Sequence, residues 1–449
     1  MNRKSWFVTV LSIIGFLLLS AGFAFSGGTS ETSSKGVTLN TIVFNGWART
    51  AALQKQIIEY QNETGVKVNI ETVPFQQLHQ KLILDFASKT GNYDFFGLLT
   101  DWEPEFVHGD FLVPLESYIQ QDPPQQWPNA FPENLIKYLT LNGKLYALPC
   151  HDGPELLYYR KDLLDDPANQ AAFKAKYGYD LAPPRTWQQF LDIARFFNAP
   201  DRGFYGTVLG SKQGGQQLTY DFLLMLWTYG GHVFDDNMHP IFNSEAGAQG
   251  LQFYADLRNK WGVTPKASTT YDESENGPFY LDGHAAMMWN WSHIGGWAEM
   301  PEHSKIIGKN GIALIPTGDP SIPQATLDSY WGWAISNFSK HKDATYKLIN
   351  WLSNVKNDKL DARMGTIATR LSTLRDPEML KEFPVYGFID KALENFHTVP
   401  RIPEYAQIDD IIGSAASKVI AQESTAKQAL DQAAAQVNAL MIKDGYYSK

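Results

Sequence analysis

The chain has 449 residues, of which 44% are hydrophobic and 19% charged, and its formal net charge is −10. That length exceeds one ordinary domain and gives room for two, each with its own core, and the composition is globular rather than disordered. Acidic and basic residues are interspersed without a run of five like charges, which excludes a charged tail and the basic face that a nucleic-acid partner needs.

The N-terminus reads as an export signal over residues 1–26. Arg3 and Lys4 precede an apolar stretch from Trp6 to Leu19, and small residues then reach an A-x-S site at Ala24-Phe25-Ser26, with cleavage before Gly27. The alternative is an uncleaved anchor, because the apolar run can be stretched to Phe25, although it lacks a continuous 18-residue hydrophobic core. No later segment is apolar enough to span a bilayer, so the mature protein is expected to be soluble. Residues 27–37, rich in Gly, Ser and Thr, read as a flexible leader. The single cysteine, Cys150, permits no intrachain disulfide and leaves stability to core burial. The signal region has no cysteine to carry a lipid, which points to a free periplasmic protein. Cys150 reads as a buried inert thiol, with a nucleophile beside His151 as the alternative.

Past the leader, strands and helices alternate. Thr41 to Phe44 is a short apolar strand ending at Asn45-Gly46; Leu53, Ile57 and Ile58 then share a helical face until Gly65 stops the helix. Val66, Val68 and Ile70 alternate with polar residues as a strand. Phe75, Leu78, Leu82 and Phe86 mark a second amphipathic helix, and Tyr93 to Leu99 a buried strand. This order predicts an α/β fold with a largely parallel sheet and helices on both faces. Ligands of such sheets bind beyond the carboxyl ends of the strands. Those ends carry Asn45-Gly46-Trp47, Thr72 to Gln77 and Thr100-Asp101-Trp102, the expected first wall of a site.

A second unit begins near Cys150. Leu156 to Tyr159 is strand-like, and Arg160-Lys161-Asp162 opens a helix. Thr186 is placed to cap a helix whose inner face carries Trp187, Phe190, Leu191, Ala194 and Phe197. Gly206 to Leu209 reads as a strand and Tyr220 to Tyr229 as a buried helix. Further strands are Ala285 to Trp289, Ile312 to Ile315 and Trp331 to Ile335, followed by a helix through Ala344, Leu348, Trp351 and Leu352. Two amphipathic helices, through Ile408 to Val419 and Ala426 to Leu440, close the chain. Asp235-Asp236-Asn237 lacks the full calcium-loop pattern and reads as a hairpin turn.

The stretches Phe95 to Leu99 leading to Asp101, Gly143-Lys144-Leu145-Tyr146-Ala147-Leu148-Pro149 and Leu157-Tyr158-Tyr159-Arg160-Lys161-Asp162-Leu163 follow one another in order. They continue with Pro184-Arg185-Thr186-Trp187, Gly230-Gly231-His232-Val233-Phe234, Asp282-Gly283-His284-Ala285-Ala286 and Gly332-Trp333-Ala334-Ile335. In this order and spacing the chain resembles the extracellular solute-binding proteins of bacterial ABC sugar importers, over roughly residues 40–440. The resemblance implies a two-lobed periplasmic-binding-protein fold with a hinged cleft. Lobe 1 would comprise residues 38–150 and 308–362, and lobe 2 residues 151–307 and 363–449. Crossings would fall near Pro149-Cys150, Gly308 to Gly311 and Arg363 to Gly365. It also implies a carbohydrate ligand, a di- or oligosaccharide, delivered by a monomeric protein to ABC permease subunits, with no cofactor.

An indole face matches the C–H face of a sugar ring, while carboxylates, amides and Arg match its hydroxyl edge. Trp47, Trp102, Trp289, Trp291 and Trp331 each lie beside a strand end or loop with polar neighbours; each could equally be a core anchor. Asp101 follows the third strand, and His151, Asp152 and Glu155 cluster after the first crossing. Gln76 and Gln77 could supply amide contacts or a solvated helix start. Arg370 occupies a region where the family often presents a cleft contact, with a surface ion pair as its competitor. The alternative function is an exported carbohydrate-active hydrolase using Asp101 with Asp152 or Glu155. Among nucleophile, phosphate-loop and metal motifs none appears, so neither a catalytic constellation nor a metal site is expected.

Overall fold

The computed structural model describes residues 36–151 and 153–447. The expected signal peptide and most of the expected leader, together with Asp152, lie outside the described residues. Among the described residues, no helix is long and apolar enough to cross a membrane.

In chain order, β1 (Thr38–Phe44), α1 (Ala48–Thr64), β2 (Lys67–Val73), α2 (Phe75–Ser88) and β3 (Phe95–Leu99) form the expected βαβαβ unit. The helix α1 stops where Gly65 enters the left-handed region at φ 74°, a conformation that an L side chain resists, and its N–H bonds to the Gln61 carbonyl. Leu53 and Ile57 face the core as expected, but Ile58 is 59% exposed, because the next position along a helix turns 100° away.

Next come β4 (Ala147–His151), β5 (Glu155–Arg160), α3 (Trp187–Phe197), β6 (Tyr205–Thr207), α4 (Gln216–Thr228), α5 (Glu273–Leu281), β7 (Ala285–Trp291), β8 (Asn310–Ala313) and β9 (Trp331–Ile335). Two helices, α6 (Tyr405–Ile420) and α7 (Ala426–Lys443), close the described chain. Thr186 begins α3 with a capping box: its hydroxyl accepts from the Gln189 N–H, and the Gln189 side chain accepts from the Thr186 N–H.

The strands form two main sheets, one per lobe. The first has the order β2-β1-β3-β9-β4, with β1 parallel to β2 and β3. It is a mixed sheet, since β9 runs antiparallel to both β3 and β4. The reason is the path of the chain. β9 returns from the second lobe and so enters at the cleft edge where β1 and β3 leave, bringing Trp331 opposite Leu99. The second sheet has the order β8-β5-β7-β6, with β5 antiparallel to both β8 and β7, and β6 parallel to β7.

Sheet membership differs from the expected return to lobe 1 at residue 308. β8 still pairs with β5, Gly311 opposite Tyr159 and Ile312 opposite Tyr158, so the chain rejoins the first sheet only at β9. A glycine-bounded turn before an apolar strand looks alike in either sheet; hydrogen bonding to β5 decides it. The first lobe is built on Leu39, Ile42, Leu82, Phe86, Phe96 and Trp333. In the second, α4 is buried on nearly every side, packed against α6 and the helix Glu245–Asn259, which explains its all-round apolar sequence.

Candidate functional site

A cavity of about 320 Å³ lies between the lobes. The carboxyl end of β1 contributes Phe44, Asn45, Gly46 and Trp47; the start of α2 contributes Phe75 and Gln76; the entry to β9 contributes Ser329 and Trp331. From the other lobe come Lys212, Gln216, Gln217 and Tyr220 around α4, residues 272–275 at the start of α5, and Trp291, His293 and Trp297 beyond β7. His151 and Gly153 lie at the first crossing. The strand-end placement follows from the topology of α/β sheets.

Trp47 and Trp331 pack with centroids 5.0 Å apart, each against Phe44 as well. Gly97 of β3 makes this possible: a Cβ there would stand 2.9 Å from Trp47 Cη2 and 3.3 Å from Trp331 Cε3. Across the cleft, Trp291 meets Tyr220 edge to face at 5.3 Å and donates its Nε1–H to Gln217 Oε1 at 3.1 Å. These three tryptophans retain 6–8% exposure and line the cavity.

The polar groups span both lobes. Gln76 Nε2 donates to Asp272 Oδ2 at 3.2 Å. The Tyr220 hydroxyl donates to Asp101 Oδ2 at 2.5 Å, Ser329 Oγ to Asp101 Oδ1 at 2.8 Å, and Gln216 Nε2 to Asp101 Oδ2 at 3.4 Å. Burial pushes Asp101 up to about 6 against these hydrogen bonds. Burial would also raise Asp272, but hydrogen bonds led by Ser274, with the Lys212 ammonium 3.2 Å away, outweigh it and hold that carboxyl down at about 2. Burial, then the charge of Asp272, pushes Glu273 up to about 7. Burial, reinforced by His293, pushes His151 down to about 3, and burial pushes His293 down to about 4. Both imidazoles are therefore neutral near pH 7, each able to donate one hydrogen bond and accept another. Among the described residues, no group of three His, Cys, Asp or Glu side chains is placed to hold a metal ion.

Of the residues singled out in the sequence, Trp47, Gln76, His151, Trp291 and Trp331 come together on the cavity wall. Asp101 sits just behind it, holding Tyr220. Trp102 backs the wall, stacked on Phe75 at 5.8 Å and edge-on to Trp331. Glu155 is wholly buried beneath the floor, where Gln217 Nε2 donates to it at 2.8 Å; burial and then Asp221 push its pKa well above the ordinary range. Gln77 is exposed outside the wall.

Two expected contacts prove to be structural. Trp289, 2% exposed, donates Nε1–H to Asp221 at 2.8 Å and packs on Trp187 and Phe190; two residues short of Trp291, it shares that side chain's face of the strand but lies deeper in the lobe. Arg370 is fully buried, donating to the Ser353 carbonyl at 2.6 Å and through both terminal nitrogens to the Gln125 carbonyl at 3.0 Å, with Phe131 beneath its guanidinium. It ties backbone segments together away from the cavity. Cys150 is a buried thiol that burial pushes up to about 12.

Residues 272–275 and 212–220 were not anticipated as site residues. A local signal existed for the first group: Asp272 and Glu275 form a capping box at the start of α5. That motif announces a helix start, not that it faces a cleft.

A two-lobed α/β protein with an aromatic and polar cavity between its lobes is the architecture of a ligand-capturing protein, and comparison with known proteins gives the family. Residues 46–359 match the family described as bacterial extracellular solute-binding protein, and the chain belongs to it. A probable ABC transporter-binding protein of Deinococcus radiodurans is 28% identical over 395 residues, 86% of each chain. The structure of T. maritima MalE3 with maltose bound superposes with a TM-score of 0.81 at 27% identity, covering 90% of this chain and 100% of that one. An ABC transporter solute-binding protein from Agrobacterium radiobacter K84, in complex with ribitol, gives the same TM-score and identity over 90% and 99% of the two chains.

Proposed function

We propose that this protein captures a neutral polyhydroxyl solute, a sugar or sugar alcohol, in the cleft and presents it to the permease of an ABC importer. The carrying observation is the wall itself: Trp47 and Trp331 from one lobe face a cavity that Trp291 closes from the other. Indole faces take up the C–H face of a polyol or pyranose. Amides (Gln76, Gln216, Gln217), neutral imidazoles and carboxylates then accept and donate to its hydroxyls. Among the described residues the wall carries one lysine, Lys212, already paired with Asp272, and no arginine, so an anionic solute would meet no uncommitted cation among them. The maltose and ribitol carried by the two similar structures support this reading.

Capture works through differential contact. A ligand touching both lobes stabilises the closed arrangement by the contacts it gains only there. The lobes would hinge on the crossings near 152–154, 314–330 and 363–365, and the closed surface would dock on the permease. Export through cleavage after residue 26, without a lipid, would deliver a free monomer outside the cytoplasm. Binding rather than hydrolysis fits two of the three acids that the hydrolase alternative would draw on: Asp101 and Glu155 are committed to hydrogen bonds behind the wall and beneath the floor, whereas a glycosidase pair must flank the scissile bond.

Tryptophan fluorescence and calorimetry of the mature chain, titrated with a sugar and polyol panel alongside a turnover assay, test the proposal. A saturable response without product supports it. Product at catalytic rates, or no response to any member while amino acids or anions bind, overturns it.

A further inference from the structure

Three direct contacts cross the cleft from side chains that line the cavity; the longest, from Gln216 to Asp101 at 3.4 Å, lies beside the shorter one from Tyr220. Gln76, exposed at the start of α2, reaches Asp272 at 3.2 Å. Tyr220 of α4 reaches Asp101 at 2.5 Å. Neither anchor can move away easily. Asp272 also accepts from the Ser274 N–H at 3.0 Å, the Ser274 hydroxyl at 2.7 Å and Lys212 at 3.2 Å. Asp101 also accepts from Ser329 and Gln216, and it is buried, so losing the tyrosine hydroxyl would remove one of its few donors. The cavity that these side chains help to line measures about 320 Å³. An apolar protein cavity of about 150 Å³ admits benzene, and a hexose or hexitol has about twice the heavy atoms of benzene, a disaccharide about four times.

We infer that the cleft is sized for a single sugar or sugar-alcohol unit, and that Gln76 and Tyr220 are the specificity-determining residues that set this limit. The inference rests on the polyhydroxyl reading above and narrows it, against the di- or oligosaccharide expected from the sequence. A second sugar ring placed across the Gln76 or Tyr220 bridge would break it, losing hydrogen bonds that the ligand's own hydroxyls would need to replace in the same geometry.

Calorimetry on the full mature chain decides it. D-glucose, D-mannose, D-galactose, D-mannitol and D-glucitol are titrated against maltose, cellobiose, melibiose and maltotriose. The tightest single-unit ligand is expected to bind at least tenfold more tightly than any longer one. In Gln76→Ala, which removes an exposed amide and leaves the fold intact, and in Tyr220→Phe, which removes only the bridging hydroxyl, that ratio is expected to shrink at least threefold. A disaccharide or trisaccharide bound as tightly as the best single unit by the unmodified protein overturns the size limit. A ratio unchanged in both variants, with their melting midpoints retained, overturns the assignment to these two residues. Absence of binding by every member instead sinks the polyhydroxyl reading, and this inference with it.

Discussion

Trp289 and Trp291 lie two residues apart on one strand and face the same side of the sheet, yet they do different work. The Trp289 indole fills the second lobe and satisfies the buried carboxylate of Asp221, which also accepts from Tyr254 at 2.7 Å and Gln217 at 2.9 Å. Trp291, at the strand's end, reaches the cleft. Replacing Trp289 by Phe leaves a void and removes one of three donors to a buried acid, so stability should fall by about 2–4 kcal/mol. Ligand affinity should stay within about twofold, since no cavity contact is touched. Urea denaturation with calorimetry checks this; a large affinity loss at unchanged stability would place Trp289 in the site after all.

At the scale of elements, the aromatic wall depends on a strand that leaves room for it. Gly97 lies in the middle of β3, beneath Trp47 and Trp331. A side chain there must push one indole toward the cavity, because the strand's backbone is pinned on both sides by β1 and β9. Gly97→Val is therefore expected to weaken ligand binding at least tenfold, about 1.4 kcal/mol, with an overpacking loss of about 1–3 kcal/mol in stability. Folded protein that binds as before would show that the two indoles can retreat elsewhere. The antiparallel return of β9 is the other device at this scale. It carries Trp331 to the same edge as Trp47, although the two are far apart in sequence.

At the scale of the whole molecule, several acids are buried where the lobes and hinge segments meet. Burial pushes Asp101 up to about 6, and Glu103, Asp361 and Asp409 up to about 7, despite Arg401 beside Glu103 and Arg49 beside Asp361. Each folded value stands above the unfolded value near 4, so the folded state holds these protons more firmly. Their stabilising contribution is present at low pH and is lost as pH rises through 6 to 7. His151 and His293 act in the opposite sense. With folded values of about 3 and 4, their contribution is present above the unfolded value near 6.5 and is lost as pH falls below it. Between pH 8.5 and 6.5 the acids gain more than the histidines lose, because the histidines are only half-charged in the unfolded chain at 6.5, so the melting midpoint should rise on acidification, by at least about 2 °C. Below pH 6 the histidines offset the gain. A thermal-melt series from pH 5 to 8.5 tests the sign; a midpoint that falls steadily from 8.5 to 6.5 would show these carboxyls to be ionised in the fold.

The sequence by itself determined the α/β class, the strand-end loops and, through Trp47, His151 and Trp331, much of one cavity wall, with Trp291 on the other. The reason is local. Apolar period, helix stops such as Gly65 and capping residues such as Thr186 act within a few neighbours, and the carboxyl ends of strands are where an α/β sheet opens to ligands. What only the tertiary structure decided is which of several similar residues reach the cleft. Trp289 and Trp291 are indistinguishable in composition, and Arg370 could have faced solvent, cleft or core. The facing wall, residues 212–220 and 272–275, is brought to the first by lobe closure: Gln76 meets Asp272 across 196 residues and Asp101 meets Tyr220 across 119. No local periodicity carries information over such a separation. It is written in how the two lobes pack, and there the size of the cavity is set as well.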